Sequence, residues 1–189
     1  MPKIAVILTP GFADWEYAFI AGIGGPFYGM DVGFFAPSPG EVTSQGGLTA
    51  KVTRAVDEIA EWAPDVVVAV GGMVWDSKDA PDVAEVLTSQ HERGATIAGI
   101  CGGTLALARA GLLDEVRHTS NAPDFLSANA PGYGGAARYE ASAKAVVDGA
   151  IVTAPGTAAV SFTSAVFDAA GLDDETVGQF LAMTAAEHR

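Results

Sequence analysis

Two rhythms of apolar residues alternate along this chain. Residues 3–8, 31–36 and 65–70 are short, nearly unbroken apolar runs; Thr9-Pro10-Gly11 closes the first and Gly71-Gly72 the third. Such runs predict parallel strands buried on both faces. Between them the period lengthens. Trp15, Phe19, Ile20 and Ile23 recur at helical spacing in residues 14–28, and Val83, Val86 and Leu87 turn inward in residues 81–93. Gly22, Gly24, Gly25 and Pro26 weaken the first of these helices, which predicts a break near Gly24 or close packing through a glycine face. Residues 57–62 read as a short helix, and Val42 with residues 48–52 as a small antiparallel excursion. Asp148-Gly149 is a hairpin turn between residues 143–147 and 150–153. Residues 124–128, 157–170 and 174–187 read as helices, the last two with Thr157 and Asp173 or Asp174 as N-caps. Strands alternating with helices predict an α/β fold: a mostly parallel sheet, helices on both faces, right-handed crossovers, and one domain over residues 1–189.

Residues 95–108 break the pattern in an informative way. Ala95-Thr96-Ile97-Ala98-Gly99-Ile100 is a strand, Cys101 is a pivot, and Gly102-Gly103-Thr104-Leu105-Ala106-Leu107-Ala108 opens a helix. A strand turning sharply into a helix holds its pivot in a cramped, often positive-φ conformation, tolerable because its neighbours are small. The pivot side chain then stands above the carboxyl ends of the strands, where α/β sheets bind ligands. Unpaired N–H groups of the helix below favour a thiolate, the reactive form of cysteine. A free cysteine is otherwise a small buried hydrophobe. Being the single cysteine and lying at the ligand-binding edge sets Cys101 apart from that.

Composition narrows the partners. The 189 residues are 49% hydrophobic and 17% charged, with a net charge of −13. That balance excludes nucleic acid, disfavours an anionic membrane surface, and favours a neutral small molecule over an anionic one. No run is long enough for a membrane span, and the opening residues pass directly into a strand pattern without a secretory leader. One cysteine excludes an intrachain disulfide and fits a reducing cytoplasm.

A reactive cysteine needs a partner that moves protons. His91 lies in the charged run Gln90-His91-Glu92-Arg93 and His188 in the tail; both are expected on the surface. His118 is nearer, but Thr119, Ser120 and Asn121 carry the chain onward toward the cysteine. Glu16, on the first turn after the first strand, opens toward the same crevice as Cys101 and is the expected proton carrier. It is otherwise a helix-dipole partner, as Asp14 is. Backbone amides of Gly72 and Gly102 are candidates for an oxyanion hole, and Trp75 either walls the pocket and contacts substrate or simply packs. Pro131-Gly132-Tyr133-Gly134-Gly135 reads as a cover or a mobile loop; the absence of GxxxxGK[ST] excludes a phosphate cradle.

Taken in order, these segments resemble the DJ-1/PfpI superfamily. The resemblance rests on Gly11-Phe12-Ala13-Asp14-Trp15-Glu16, Thr43-Ser44-Gln45-Gly46-Gly47, Gly71-Gly72, Ala98-Gly99-Ile100-Cys101-Gly102-Gly103, Gly111-Leu112-Leu113, Thr119-Ser120, and Val147-Asp148-Gly149 through Ala154-Pro155-Gly156-Thr157. It implies a flavodoxin-like three-layer sandwich, a homodimer, Cys101 as reactive cysteine, Glu16 as its protonated partner, and Gly72 and Gly102 as oxyanion-hole amides. Many members place a histidine or tyrosine where this chain has Asn121, which cannot act as a base but can contact substrate or water. The isonitrile-hydrating branch has Thr after the cysteine; here it is Gly102. The downstream His-Glu pair of glutamine-amidotransferase relatives is absent. The resemblance implies a cofactor-independent, metal-free enzyme acting on a small electrophile, with glyoxalase III/deglycase-like hydration of an α-oxoaldehyde foremost. A hydratase or lyase on another electrophile is one alternative, and a redox-responsive stress or chaperone-like protein is the alternative of another class.

Overall fold

The computed structural model describes residues 1–186. In chain order its elements are β1 (Lys3–Ile7), α1 (Asp14–Phe19), α2 (Gly25–Tyr28), β2 (Asp31–Ala36), β3 (Gly40–Thr43), β4 (Thr49–Val52), β5 (Arg54–Ala55), α3 (Ile59–Trp62) and β6 (Val66–Ala69). There follow α4 (Ala84–Glu92), β7 (Thr96–Ile100), α5 (Thr104–Arg109), α6 (Phe125–Asn129), β8 (Val146–Asp148), β9 (Ile151–Ala154), α7 (Ala159–Ala169) and α8 (Asp174–Ala185). A seven-stranded sheet has the order β5-β2-β1-β6-β7-β9-β8, and β3 and β4 pair separately as the expected antiparallel excursion. All neighbours in the large sheet are parallel except β8, which returns beside β9 across Asp148-Gly149. This is the flavodoxin-like α/β sandwich.

The strand period of two divides the core. Ile4, Val6, Val66 and Val68 face one side, where Ile20, Phe162, Val166, Phe167 and Phe180 cover them. Ala5, Ile7, Val67, Ala69 and Ile97 face the other, against Ile59, Leu87, Leu105 and Leu107. Both faces are dry, so the strands read as continuous apolar runs rather than alternating ones. After β1 the chain adds strands on one side, then crosses to add β6, β7 and β9 on the other. Such a reversal opens a crevice at the carboxyl ends of the strands.

Several local expectations are corrected. Residues 14–28 do not break at Gly24: a π-helical segment, Ile20–Gly24, joins α1 to α2, and left-handed Gly29 (φ 66°) ends the run. The expected close packing does occur, since a Cβ on Gly24 would meet Phe167 Cε1 at 3.1 Å. Thr157 does not cap α7, which starts at Ala159 after a turn closed by Ala158 N–H donating to Pro155 O. Asp173 does cap α8, accepting from Thr176 N–H. His91 is half-buried rather than solvated, with Nδ1 enclosed and unpartnered. His188 and the expected end of the last helix at Glu187 lie outside the described residues. Among the described residues no helix is long and apolar enough to cross a membrane.

Candidate active site

Three strand ends build the site. β1 leads into the turn before α1 and so delivers Glu16; β6 ends at Gly71-Gly72; β7 ends at Cys101. Cys101 takes φ 55°, one of two non-glycine residues with positive φ among the described residues. Left-handed backbone in a side-chain-bearing residue costs about 1–3 kcal/mol and persists where its surroundings demand it. Here Thr104 Oγ1–H donates to Cys101 O (2.6 Å), and a single 3-10 turn, Cys101–Gly103, precedes α5. No room exists for side chains below the turn: a Cβ on Gly103 would strike Ala69 O.

Glu16 is 1% exposed. Its Oε2 accepts from Gly71 N–H at 2.7 Å, while Oε1 is enclosed without a hydrogen-bond partner. Cys101 Sγ and Glu16 Oε1 flank one point, each 3.0 Å from where a Cβ on Gly156 would stand. A Cβ on Gly71 would likewise crowd Glu16 and meet Cys101 Cβ at 2.6 Å. Two glycines therefore let the backbone close on the carboxyl and the thiol from either side.

Burial pushes the Glu16 carboxyl from an ordinary 4.5 to about 7, against the pull of the Gly71 N–H and of Cys101. Cys101 does not follow the expected downward shift. Burial raises its pKa, charge on Glu16 raises it further, and donation from Asn121 and from Gly102 N–H opposes both. The helix below is six residues long and entered through a tight turn, so its dipole does not outweigh a neighbouring carboxylate. The two groups therefore titrate as a pair, which holds a single proton between about pH 7 and the raised pKa of the thiol.

The other sequence candidates separate clearly. Asn121 reaches the sulfur, Nδ2–H donating to Cys101 Sγ at 3.2 Å. Gly72 and Gly102 are in backbone contact beside Cys101: a Cβ on Gly102 would lie 2.7 Å from Gly72 O and 3.3 Å from Gly72 N. Trp75 is no pocket wall. It is fully buried, its Nε1–H donating to Val70 O, and it packs beneath Gly102. The wall is Trp15 instead, 50% exposed, with Nε1–H donating to Gly156 O at 2.9 Å. Periodicity marks Trp15 only as one of several apolar residues at helical spacing; no local signal marks a side chain that bonds 141 residues away. Asp14 is more than a helix-start residue, since it accepts from Gly46 N–H and draws Gln45 to the rim.

Two hollows meet at the sulfur. One of about 430 Å³ is lined by Trp15, Cys101, Asn121, Pro155, Gly156 and Thr157. The other, of about 190 Å³, includes Gln45, Met73, Asp76, Gly102 and Phe125. Among the described residues, Asp76 is the single charged side chain lining either. Among the described residues no three His, Cys, Asp or Glu side chains gather to hold a metal. His118 turns away: fully buried, it bonds Val116 O through Nδ1 and Tyr133 Oη through Nε2. The glycine-rich loop at 131–135 is thus a cover over His118, and a Cβ on Gly135 would stand 2.9 Å from the His118 ring.

A strained cysteine at a strand–helix elbow, a carboxyl buried against it and a flavodoxin-like sheet define the class. The chain belongs to the DJ-1/PfpI family, whose profile matches residues 2–169. It is 30% identical over 167 residues to the uncharacterised protease YoaZ of Bacillus subtilis, covering 85% of this chain and 79% of that one. A crystal structure of a DJ-1 superfamily protein from Agrobacterium tumefaciens superposes with a TM-score of 0.93 at 35% identity over the full length of both chains. A thiJ/pfpI family protein from Bacillus anthracis superposes at 0.80, with 28% identity over 91% of this chain and 84% of that one.

Proposed function

We propose that this chain is a cysteine-dependent enzyme for a small electrophilic carbonyl, a glyoxalase III/deglycase-like catalyst converting an α-oxoaldehyde and water to a 2-hydroxy acid. The observation that carries this reading is the Glu16 carboxyl enclosed beside an accessible strained thiol, where burial pushes its pKa up to about 7. With one proton on the pair, the reactive form puts it on Glu16 and the negative charge on Cys101. The thiolate adds to the aldehyde carbon; a C–S bond forms and the carbonyl oxygen takes the Glu16 proton. The Glu16 carboxylate then moves the proton of that carbon to the adjacent ketone carbon, the hydroxyl proton passing between the two oxygens. The result is a 2-hydroxyacyl thioester. Water then adds its oxygen to the acyl carbon and gives one proton to the Glu16 carboxylate, the C–S bond breaks, and the thiolate and protonated Glu16 return with release of the 2-hydroxy acid. Amides of Gly72 and Gly102 are assigned to the developing oxyanion. No metal or organic cofactor enters the sequence of steps.

The Bacillus subtilis relative YoaZ is named a protease, which suggests amide hydrolysis. In that reaction the Glu16 proton would go to the leaving amine, and among the described residues Glu16 is the titratable partner beside the sulfur. Amide hydrolysis is therefore the competing outcome that a turnover assay separates from oxoaldehyde isomerisation. The test is turnover of methylglyoxal by wild type, Cys101→Ser and Glu16→Gln. Expected are activity in wild type rising through about pH 7 and a loss of about 10³-fold or more in both variants. A second reading has one observation in its favour: Asn121, Gly102 N–H and a protonated Glu16 would donate to the oxygens of a sulfinate on Cys101. An inactive wild type whose Cys101 is selectively oxidised by peroxide would favour that redox role.

A further inference from the structure

We infer that Asn121 is a fixed hydrogen-bond donor to the Cys101 thiolate, held in that orientation by Gly156 and Trp15. A side-chain amide has one donating and one accepting end. The accepting end is occupied, since Gly156 N–H donates to Oδ1 at 3.0 Å. The donating end therefore faces Cys101 Sγ, at 3.2 Å. A flipped amide would set two donors against each other at Gly156 and an oxygen lone pair against a sulfur anion at Cys101. Gly156 is itself held at its other peptide group, by Trp15 Nε1–H donating to its carbonyl. Accepting at Oδ1 also polarises the Nδ2–H bond and strengthens its donation.

This arrangement divides the work around the sulfur. Asn121 does not titrate, so it lends the thiolate a donor without competing for its proton, and Glu16 is left as the sole proton carrier. It opposes the effects that raise the thiol, burial first and the neighbouring Glu16 carboxyl after it. The inference rests on Cys101 being the reacting sulfur. It does not depend on the substrate, because alkylation reads the thiolate directly.

The experiment follows the pH dependence of Cys101 alkylation by iodoacetamide in wild type, Asn121→Ala, Asn121→Asp and Trp15→Phe. Asn121→Asp is isosteric and keeps the acceptor for Gly156, so it retains the local structure while replacing the donor by an anion. Asn121→Ala is expected to move the midpoint upward and slow alkylation at pH 7 by about tenfold. Asn121→Asp should move it further in the same direction, and Trp15→Phe less, by about twofold in rate. A purely structural role would alter thermal stability and leave the midpoint in place. Midpoints at or below the wild-type value in Asn121→Ala or Asn121→Asp would overturn the inference. Missing methylglyoxal turnover with the expected midpoints would instead overturn the proposed substrate and leave Asn121's role standing.

Discussion

Two clusters built on titratable groups, His118 with Tyr133 and Glu16 with Cys101, behave in opposite ways, although the chain passes from the first to Asn121 of the second in three residues. In the first, His118 is closed on every side. Val116 O can only accept, so Nδ1 carries the hydrogen and Nε2 accepts from Tyr133 O–H. Burial lowers the His118 pKa, while the Val116 bond, Asp114 and Glu140 pull it back up. Every polar atom of the ring has a partner. In the second, Glu16 Oε1 is equally enclosed and has none, and Cys101 opens on two hollows. Satisfied burial makes a brace; unsatisfied burial beside a strained thiol stores a proton that can move.

The sharpest way to break this comparison is to remove the unsatisfied charge. The Glu16 pKa is raised on folding, so its contribution to stability is fully present below about 4.5 and is lost as pH rises through about 7. Across that window wild type should lose about 3 kcal/mol relative to Glu16→Gln. Urea denaturation of both proteins from pH 4.5 to 8 measures it, and parallel curves would place the carboxyl in ordinary solvent. A Cβ at position 156 tests the geometry next. Gly156→Ala should fold, because the glycine has no positive φ, but must displace Cys101 Sγ or Glu16 Oε1, each 3.0 Å away. Methylglyoxal turnover should fall about 100-fold with a small change in melting temperature. The mildest change belongs to the satisfied cluster. Tyr133→Phe removes the hydroxyl that caps His118 Nε2. It should cost about 1 kcal/mol in denaturant titration and leave turnover within about twofold. A large kinetic effect would join the two clusters into one site.

Much of the architecture was legible along the chain, for a local reason. Continuous apolar runs ended in glycine turns, and β1, β2, β6 and β7 stand within a residue of those runs. Asp148-Gly149 marked its hairpin because a tight turn needs a residue free to take positive φ, as Gly149 does at 56°. Cys101 was visible as a pivot between small residues, and Glu16 as the carboxylate on the adjoining strand's helix. Trp75 packs rather than walls the pocket, a choice the sequence leaves open because a tryptophan three residues after a strand can as easily point beneath the sheet as over it. The direction of the thiol shift was misjudged because a helix N-terminus is read from sequence, whereas enclosure and a facing carboxyl are not.

The amino-acid sequence by itself determined which segments are strands and helices, and that one sulfur stands at an elbow. Those properties depend on neighbours a few residues apart and on periods of two and 3.6. Tertiary structure alone decided what surrounds that sulfur. Glu16 meets Gly71 across 55 positions, Asn121 meets Gly156 across 35, and Trp15 meets Gly156 across 141. Strand order, not spacing, brings such residues together, and the burial they create sets where the proton resides.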